Sequence, residues 1–504
     1  MSGRWRRWSG AVRSHLDLNP VVVKELRQAV RSWFVTGVLL LFLAVLLLSM
    51  FGILAARSTN YTPDQGVGLD VFVVLVSILT AASLIFIPLY TGARLALERQ
   101  EVNLDLLYIT TLSPGRIIRG KLFCGIYLVL LFFSACLPFI VLSNMLRGVD
   151  LPAISLVLFL VFVVVCGAVQ IAIFLACLPV SMPFKCVLGI ASTGGLVSLT
   201  VGLSAMAQQV ARYFILPPVE FWYYGTPFYL LAFGWFYVCS VALISPKSMN
   251  RAMPLRIYLT SVWLVCGAMA VYATVKYTQL EPMIAWLVGS LILIISALIV
   301  VVGNSDQLSV RVRRQIPGPL WKRIPALFFF NGAAQGLAWT LAITVLTGLS
   351  GWGVWMANEA WSLSTPAGSS YRRSVSSEFF QVMGVWCCYA YAYVLTGLFV
   401  QRSFFPRHNP AVASVLAFVI PAAWAILPNF ALFLLDRLTW NVMETRQLGN
   451  VFNVMLTRDA DTRVAHLWFS ASWTLLALAV NVPWFVRQVK EFRPWAKSLK
   501  EVPS

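Results

Sequence analysis

Gly115, Gly120 and Lys121, within SPGRIIRGKLFCG (residues 113–125), stand at the G-x-x-x-x-G-K spacing of a phosphate-binding loop. In such a loop backbone N–H groups wrap the phosphates, the lysine reaches the terminal phosphate, and a following Ser or Thr hydroxyl holds magnesium. The surroundings do not fit that chemistry. Ile117 and Ile118 fill the would-be loop, Leu122 stands where the hydroxyl is needed, and the preceding residues read as a helix where a strand is required. No other stretch offers a Walker-type loop, and no soluble segment is long enough to fold a nucleotide domain. Nucleotide binding and catalysis are therefore not expected of this chain, and no cofactor is implied.

Other reactive residues are equally unpromising. The nine cysteines fall in or beside apolar stretches, and the adjacent Cys387 and Cys388 diverge by about 100° on a helix with no histidine near them in sequence. Asp459 and Asp461 are flanked by Arg458 and Arg463 and lack the glycine turn and later glutamate of a calcium loop, so no metal site is expected.

The elements that hold these residues are set by hydropathy. Of 504 residues 59% are hydrophobic and 11% charged, and the mean hydropathy is +0.80. Twelve stretches are long enough to cross a hydrocarbon core, centred near residues 44, 79, 134, 166, 197, 234, 267, 292, 340, 392, 423 and 476. The first follows a basic leader without a small-residue cleavage site and reads as a retained helix. The expected fold is an all-α integral membrane protein: a polytopic bundle with an N-terminal amphipathic interfacial helix. The expected division is a leader and elbow helix (1–32), a first six-helix half (33–245), a second (246–487) and a tail (488–504).

The formal charge of +19 would point a soluble protein toward nucleic acid. Here its placement gives another reading. With both termini inside, 28 of the 38 Lys and Arg fall in the inner segments, which is the positive-inside pattern. That places the chain in a cell inner (plasma) membrane with both termini cytoplasmic, touching anionic lipid and no nucleic acid. The span centres carry essentially no Asp, Glu, Lys or Arg, which argues against a proton relay. Gln170, Asn331, Gln335, Asn429 and Asn481 are expected to join helices.

Two inner segments carry the most information. In NPVVVKELRQAVRSW, Asn19 is placed to cap a helix and Pro20 to occupy its first position. Val22, Leu26, Ala29 and Trp33 line one side; Lys24, Arg27, Gln28 and Arg31 line the other, and Glu25 lies in the same helix. In ARLALERQEVNLDLLY, Glu98, Glu101 and Asp105 form an acidic stripe, with Leu95, Val102 and Leu106 on one flank and Leu97, Leu104 and Tyr108 nearly opposite. Such a helix either packs under its own bundle or is clamped against another protein. After TTLSPG, Ser113 and Pro114 start a new helix in which Arg116, Arg119 and Lys121 anchor the entry to span three.

The run ERQEVNLDLLYITTLSPGRIIRGKL resembles the signature of ABC-2 type permeases, the membrane subunits of one class of ABC transporters, and NPVVVKELRQAVR resembles their start. Glu98, Leu104, Asp105, Leu106, Leu107, Thr110, Leu112, Ser113, Pro114, Ile117, Gly120 and Lys121 fit the pattern; Val102, Asn103 and Thr111 depart from it. The resemblance covers about residues 19–245. It implies a cytoplasmic coupling helix, with Glu98, Glu101, Leu104, Asp105, Leu106, Leu107, Ser113, Pro114 and Lys121 meeting a separate cytoplasmic ABC ATPase. Asn19, Pro20, Lys24, Glu25 and Arg27 would belong to the elbow helix. Export of a substrate is the implied activity, with a homodimer or second permease subunit as a further partner. The rival readings are a twelve-helix secondary transporter and a non-transporting scaffold. The inner loop 304–324 lacks the motif of 91–121, and the outer segments 353–380 and 436–465 read as solvated connectors, with a small cap or a partner-binding element as the alternative.

Overall fold

The structure is a computed structural model that describes residues 20–59, 66–100, 113–146, 149–178, 182–213, 217–218, 221–246, 248–277, 280–364, 377–407, 409–435, 447–456 and 460–494. Every regular element among them is helical, and 12 helices are long and apolar enough to span a membrane. Each expected span is occupied by one of them. The chain is an all-α polytopic membrane bundle, and it divides into two compact units, Met1–Pro246 and Lys247–Ser504.

The first unit opens with α1 (Pro20–Val30) and the first span, α2 (Trp33–Thr59). The second span joins α3 (Val67–Ala81), a π-helical turn (Ala82–Phe86) and α4 (Ile87–Gln100). The wide turn has a local cause. Pro88 has no N–H to donate and its ring crowds the carbonyl one turn back, so the helix widens just before it. Then follow α5 (Pro114–Met145), α6 (Leu151–Cys177), α7 (Met182–Tyr213), a π-helical turn (Phe221–Gly225) and α8 (Thr226–Ile244). Phe72, Leu75, Leu79, Leu84, Phe132 and Val169 are fully enclosed in the core. Because lipid gives helices no hydrophobic reason to associate, close backbone approach has to supply the contact. At Gly125 of α5 an added Cβ would lie 2.6 Å from the Val169 side chain of α6, so a larger residue would force these helices apart.

The second unit contains α9 (Ala252–Tyr277), α10 (Glu281–Val302), the short α11 (Val310–Arg313), α12 (Leu320–Phe329), α13 (Ala333–Ser364), α14 (Ser377–Phe404), α15 (Ala411–Leu434), the short α16 (Asn453–Leu456) and α17 (Ala460–Glu491). Helix α14 is its centre, packed against α10, α15 and α17. Polar side chains tie the spans together. Asn481 donates to the Leu395 carbonyl at 3.1 Å, Trp263 to Ser290 Oγ at 3.0 Å, and Trp286 to the Trp263 carbonyl at 3.0 Å. In the first unit Gln170 reaches Ser240 at 3.4 Å, so Gln170 and Asn481 act as the expected interhelical links.

Two segments differ from the sequence-based expectation. The connecting loop at 304–324 contains α11 and the first turn of α12. Of the segment 436–465, expected as a solvated connector or a small cap, the described part is partly packed: Gln447, Asn450, Val451, Asn453 and Val454 are buried. Gly449 makes this fold-back feasible. Its φ of 99° is left-handed, and a Cβ there would sit 2.7 Å from the Trp424 ring.

Candidate functional site

The loop motif enters the described residues at both of its ends. Glu98 lies near the end of α4, and Ser113 precedes α5 in an extended conformation (φ −73°, ψ 145°), with Pro114 at the first helical position. The Ser113 carbonyl accepts from the Arg116 N–H at 2.9 Å, while its hydroxyl makes no capping bond. Glu101, Leu104, Asp105, Leu106, Leu107 and Asn19 lie outside the described residues. So does the side chain of Pro20, although its backbone begins α1.

Helical spacing from Pro114 turns Ile117, Ile118 and Lys121 inward. Lys121 is 6% exposed, and its Nζ lies 2.7 Å from Glu25 Oε1 and 2.5 Å from Glu98 Oε2. Glu25, on α1, is itself 4% exposed. One ammonium thus joins the elbow helix, the end of span two and the start of span three. A second cation completes the group: Arg94 donates to Tyr90 Oη at 2.6 Å and to Gln28 Oε1 at 2.7 Å. The two carboxylates, ammonium and guanidinium have cancelling formal charges, the condition under which charges are tolerated away from water. Between them Glu25, Ala29, Tyr90, Thr91, Arg94, Lys121 and Cys124 line an opening of ≈ 10 Å³, about the space of one water.

This geometry gives the sequence motif a physical content. The lysine of the apparent phosphate loop is engaged by two carboxylates, Glu25 and Glu98. Its pairing fixes the register of α1 against α5, the best-attested use of buried ion pairs. Of the remaining motif residues, Lys24 and Arg27 are exposed on α1, and Ser113 is exposed at the start of α5. Glu98, expected as part of an acidic stripe, is turned toward Lys121 with its side chain 32% exposed.

Compared with known proteins, the chain matches no family model, no curated relative and no solved structure. The site must be read from its own geometry.

Sequence reasoning passed over two further constellations. In the second unit Asp306 Oδ2 accepts from Trp484 Nε1 at 3.0 Å and lies 3.5 Å from Arg402, whose guanidinium stacks 3.2 Å over the Trp484 ring. Burial pushes the Asp306 carboxyl above its ordinary pKa, while the Arg402 charge and the Trp484 hydrogen bond oppose the shift. On α14, Tyr389 and Tyr393 project from one face at i, i+4 and receive the folded-back segment. The Gly449 N–H donates to Tyr389 Oη at 3.0 Å, Tyr393 Oη donates to the Gly449 carbonyl at 2.5 Å, and Tyr389 Oη lies 2.9 Å from His466 Nδ1. The repeated tyrosines of CCYAYAY were the available sequence signal. Their partners lie 56 to 77 residues away, beyond any local pattern.

Proposed function

We propose that this chain is the permease subunit of an ABC-2 type transporter, exporting a substrate across the inner membrane with ATP hydrolysed by a separate cytoplasmic ATPase. The observation that carries the reading is the Glu25–Lys121–Glu98 joint. A push on the segment between Glu98 and Ser113 would reach α1, span two and span three together through one buried ammonium. That is the mechanical requirement of a coupling element. The resemblance at residues 98–121 supplies the partner class, and the acidic and leucine-rich residues of 101–107 supply the docking chemistry. In this reading the chain contributes positioning and a path, and the ATPase supplies the energy.

The test is reconstitution of the full chain with the ATPase that copurifies from its native membrane. Glu101→Lys with Asp105→Lys should abolish stimulation of ATP hydrolysis while leaving the purified bundle as stable as wild type. Unchanged ATPase binding and stimulation would sink the coupling assignment. Proton-gradient-driven transport by the chain alone would favour a secondary transporter.

A further inference from the structure

Helix α12 presents a physical problem. None of its ten side chains is buried, yet its sequence is LWKRIPALFF. At 100° per residue, Leu320, Ile324, Phe328, Trp321 and Pro325 form a continuous apolar arc. Leu320, Trp321 and Ile324 are 64%, 71% and 63% exposed. In water such a face is an aggregation liability.

The segment around it is nonetheless firmly held. Val312 and Ile316 bury themselves against Phe330 and Phe492 in a small separate core, with the two phenylalanine rings 5.4 Å apart. At the other end of α12, Arg256 donates to the carbonyls of Phe328 at 3.0 Å and Phe330 at 2.7 Å, and Asn250 donates to that of Phe329 at 3.2 Å. Gly332, at φ 127°, then turns the chain directly into the span α13. The exposed apolar arc therefore belongs to a fixed element at the mouth of a transmembrane helix.

Its charge identifies the occupant. Arg311, Arg313, Arg314, Lys322 and Arg323 lie within 13 residues without an intervening acid, and none of them is ion-paired among the described residues. Lys322 sits 4.8 Å over the Trp321 ring, an arrangement that keeps its ammonium beside the apolar arc. An apolar helix face flanked by Lys322 and Arg323, preceded in the chain by three more arginines and fixed where a span begins, matches one chemistry: acyl chain below and anionic phosphate above.

We propose that residues 310–329 form an anionic-phospholipid binding foot, with Leu320, Trp321 and Ile324 in the acyl boundary and Arg311, Arg314 and Lys322 on headgroup phosphates. The foot does not depend on the transport reading, since it needs only a membrane and a negatively charged leaflet.

The experiment is hydrogen exchange of the full chain reconstituted in vesicles of phosphatidylcholine alone, or of phosphatidylcholine and phosphatidylglycerol in equal parts. Amides of 310–329 should exchange more slowly in the anionic vesicles. Arg311→Gln, Arg314→Gln and Lys322→Gln combined should remove that difference, since three surface cations change the lipid occupancy roughly 100-fold. Trp321→Glu with Ile324→Glu should speed exchange in both vesicle types, while unchanged protection in α14 reports an intact fold. Equal wild-type exchange in the two lipids would overturn the proposal, as would protection that survives the triple glutamine variant. Protection reproduced in phosphatidylcholine by inorganic phosphate or by added RNA would overturn the lipid assignment specifically.

Discussion

Helices α1 and α12 are both short, both amphipathic and both placed just before a span, but they are attached by opposite means. Helix α1 turns Glu25 and Ala29 inward and is held through side chains, with Lys121 as the shared cation. Helix α12 leaves Leu320, Trp321 and Ile324 exposed in its first turns, and it is held at its last turn, where Leu327, Phe328 and Phe329 pack on neighbouring cores and Arg256 and Asn250 take its final carbonyls. A side-chain ion pair sets the register between helices and transmits displacement along both. A capped backbone end fixes a position and leaves the helix face free for another surface. The same amphipathic pattern thus turns a charged side chain inward in one unit and leaves an apolar face outward in the other.

The contrast is broken most severely at Lys121. Replacing it with Met strands Glu25, whose side chain is 5% exposed, beside Glu98 without the ammonium. Leaving a buried charge unpaired should cost about 3–5 kcal/mol, read as a fall in stability of the purified protein in mixed-micelle unfolding. Adding Glu25→Gln should restore part of the loss, because contacting charges couple by about 0.5–3 kcal/mol. Strict additivity of the two substitutions would show that the pair does not act as a unit.

Arg256→Met tests the other attachment. It removes a charged donor from the carbonyls of Phe328 and Phe330, which should cost about 1.5–3 kcal/mol. The effect should be regional: faster hydrogen exchange over 320–332, with α14 and α17 unaffected. A cost equal to that of Lys121→Met, spread over the whole second unit, would erase the distinction between the two helices.

These two sites also mark what a sequence can and cannot disclose. The spans were legible because about 20 apolar residues in a row have few alternatives in lipid. Lys121 was recognisable as an anchor from its place at the entry of span three. Its partner Glu25 was not, because 96 residues separate them and the apolar periodicity of α1 drew attention to Val22 and Leu26. Helix α12 was hidden by Pro317, Gly318 and Pro319, which read as loop punctuation although Pro319 is the residue immediately before the helix. The buried segment 447–456 was obscured for a third reason. It depends on a left-handed glycine and on tyrosines from another helix, and neither leaves a local periodic signal.

Arg94→Met should be milder than either lysine or arginine replacement above. Its guanidinium reaches Gln28, which is exposed, and water replaces part of what is lost, so about 1 kcal/mol is expected. The more informative readout is the exchange rate of α1 amides. They should quicken only slightly while Lys121 still holds Glu25. If Arg94→Met released α1 as fully as Lys121→Met, the guanidinium would be the principal tie.

The smallest effect is expected at Ser113, and its smallness is diagnostic. A serine whose hydroxyl caps a helix typically contributes about 1 kcal/mol. Ser113 has the extended backbone of a cap but no side-chain capping bond, and its carbonyl takes the first helical N–H groups at 2.9 and 3.3 Å. Ser113→Ala should therefore change stability by less than about 0.5 kcal/mol. In the proposed permease reading, any larger effect of Ser113 would then come from the segment between Glu98 and Ser113 engaging a partner. The same substitution in the reconstituted complex separates the possibilities: a loss of ATPase stimulation without a loss of stability places the hydroxyl in coupling, and no change in either leaves Pro114 and the Lys121 joint as the parts of the motif that shape the entry to span three.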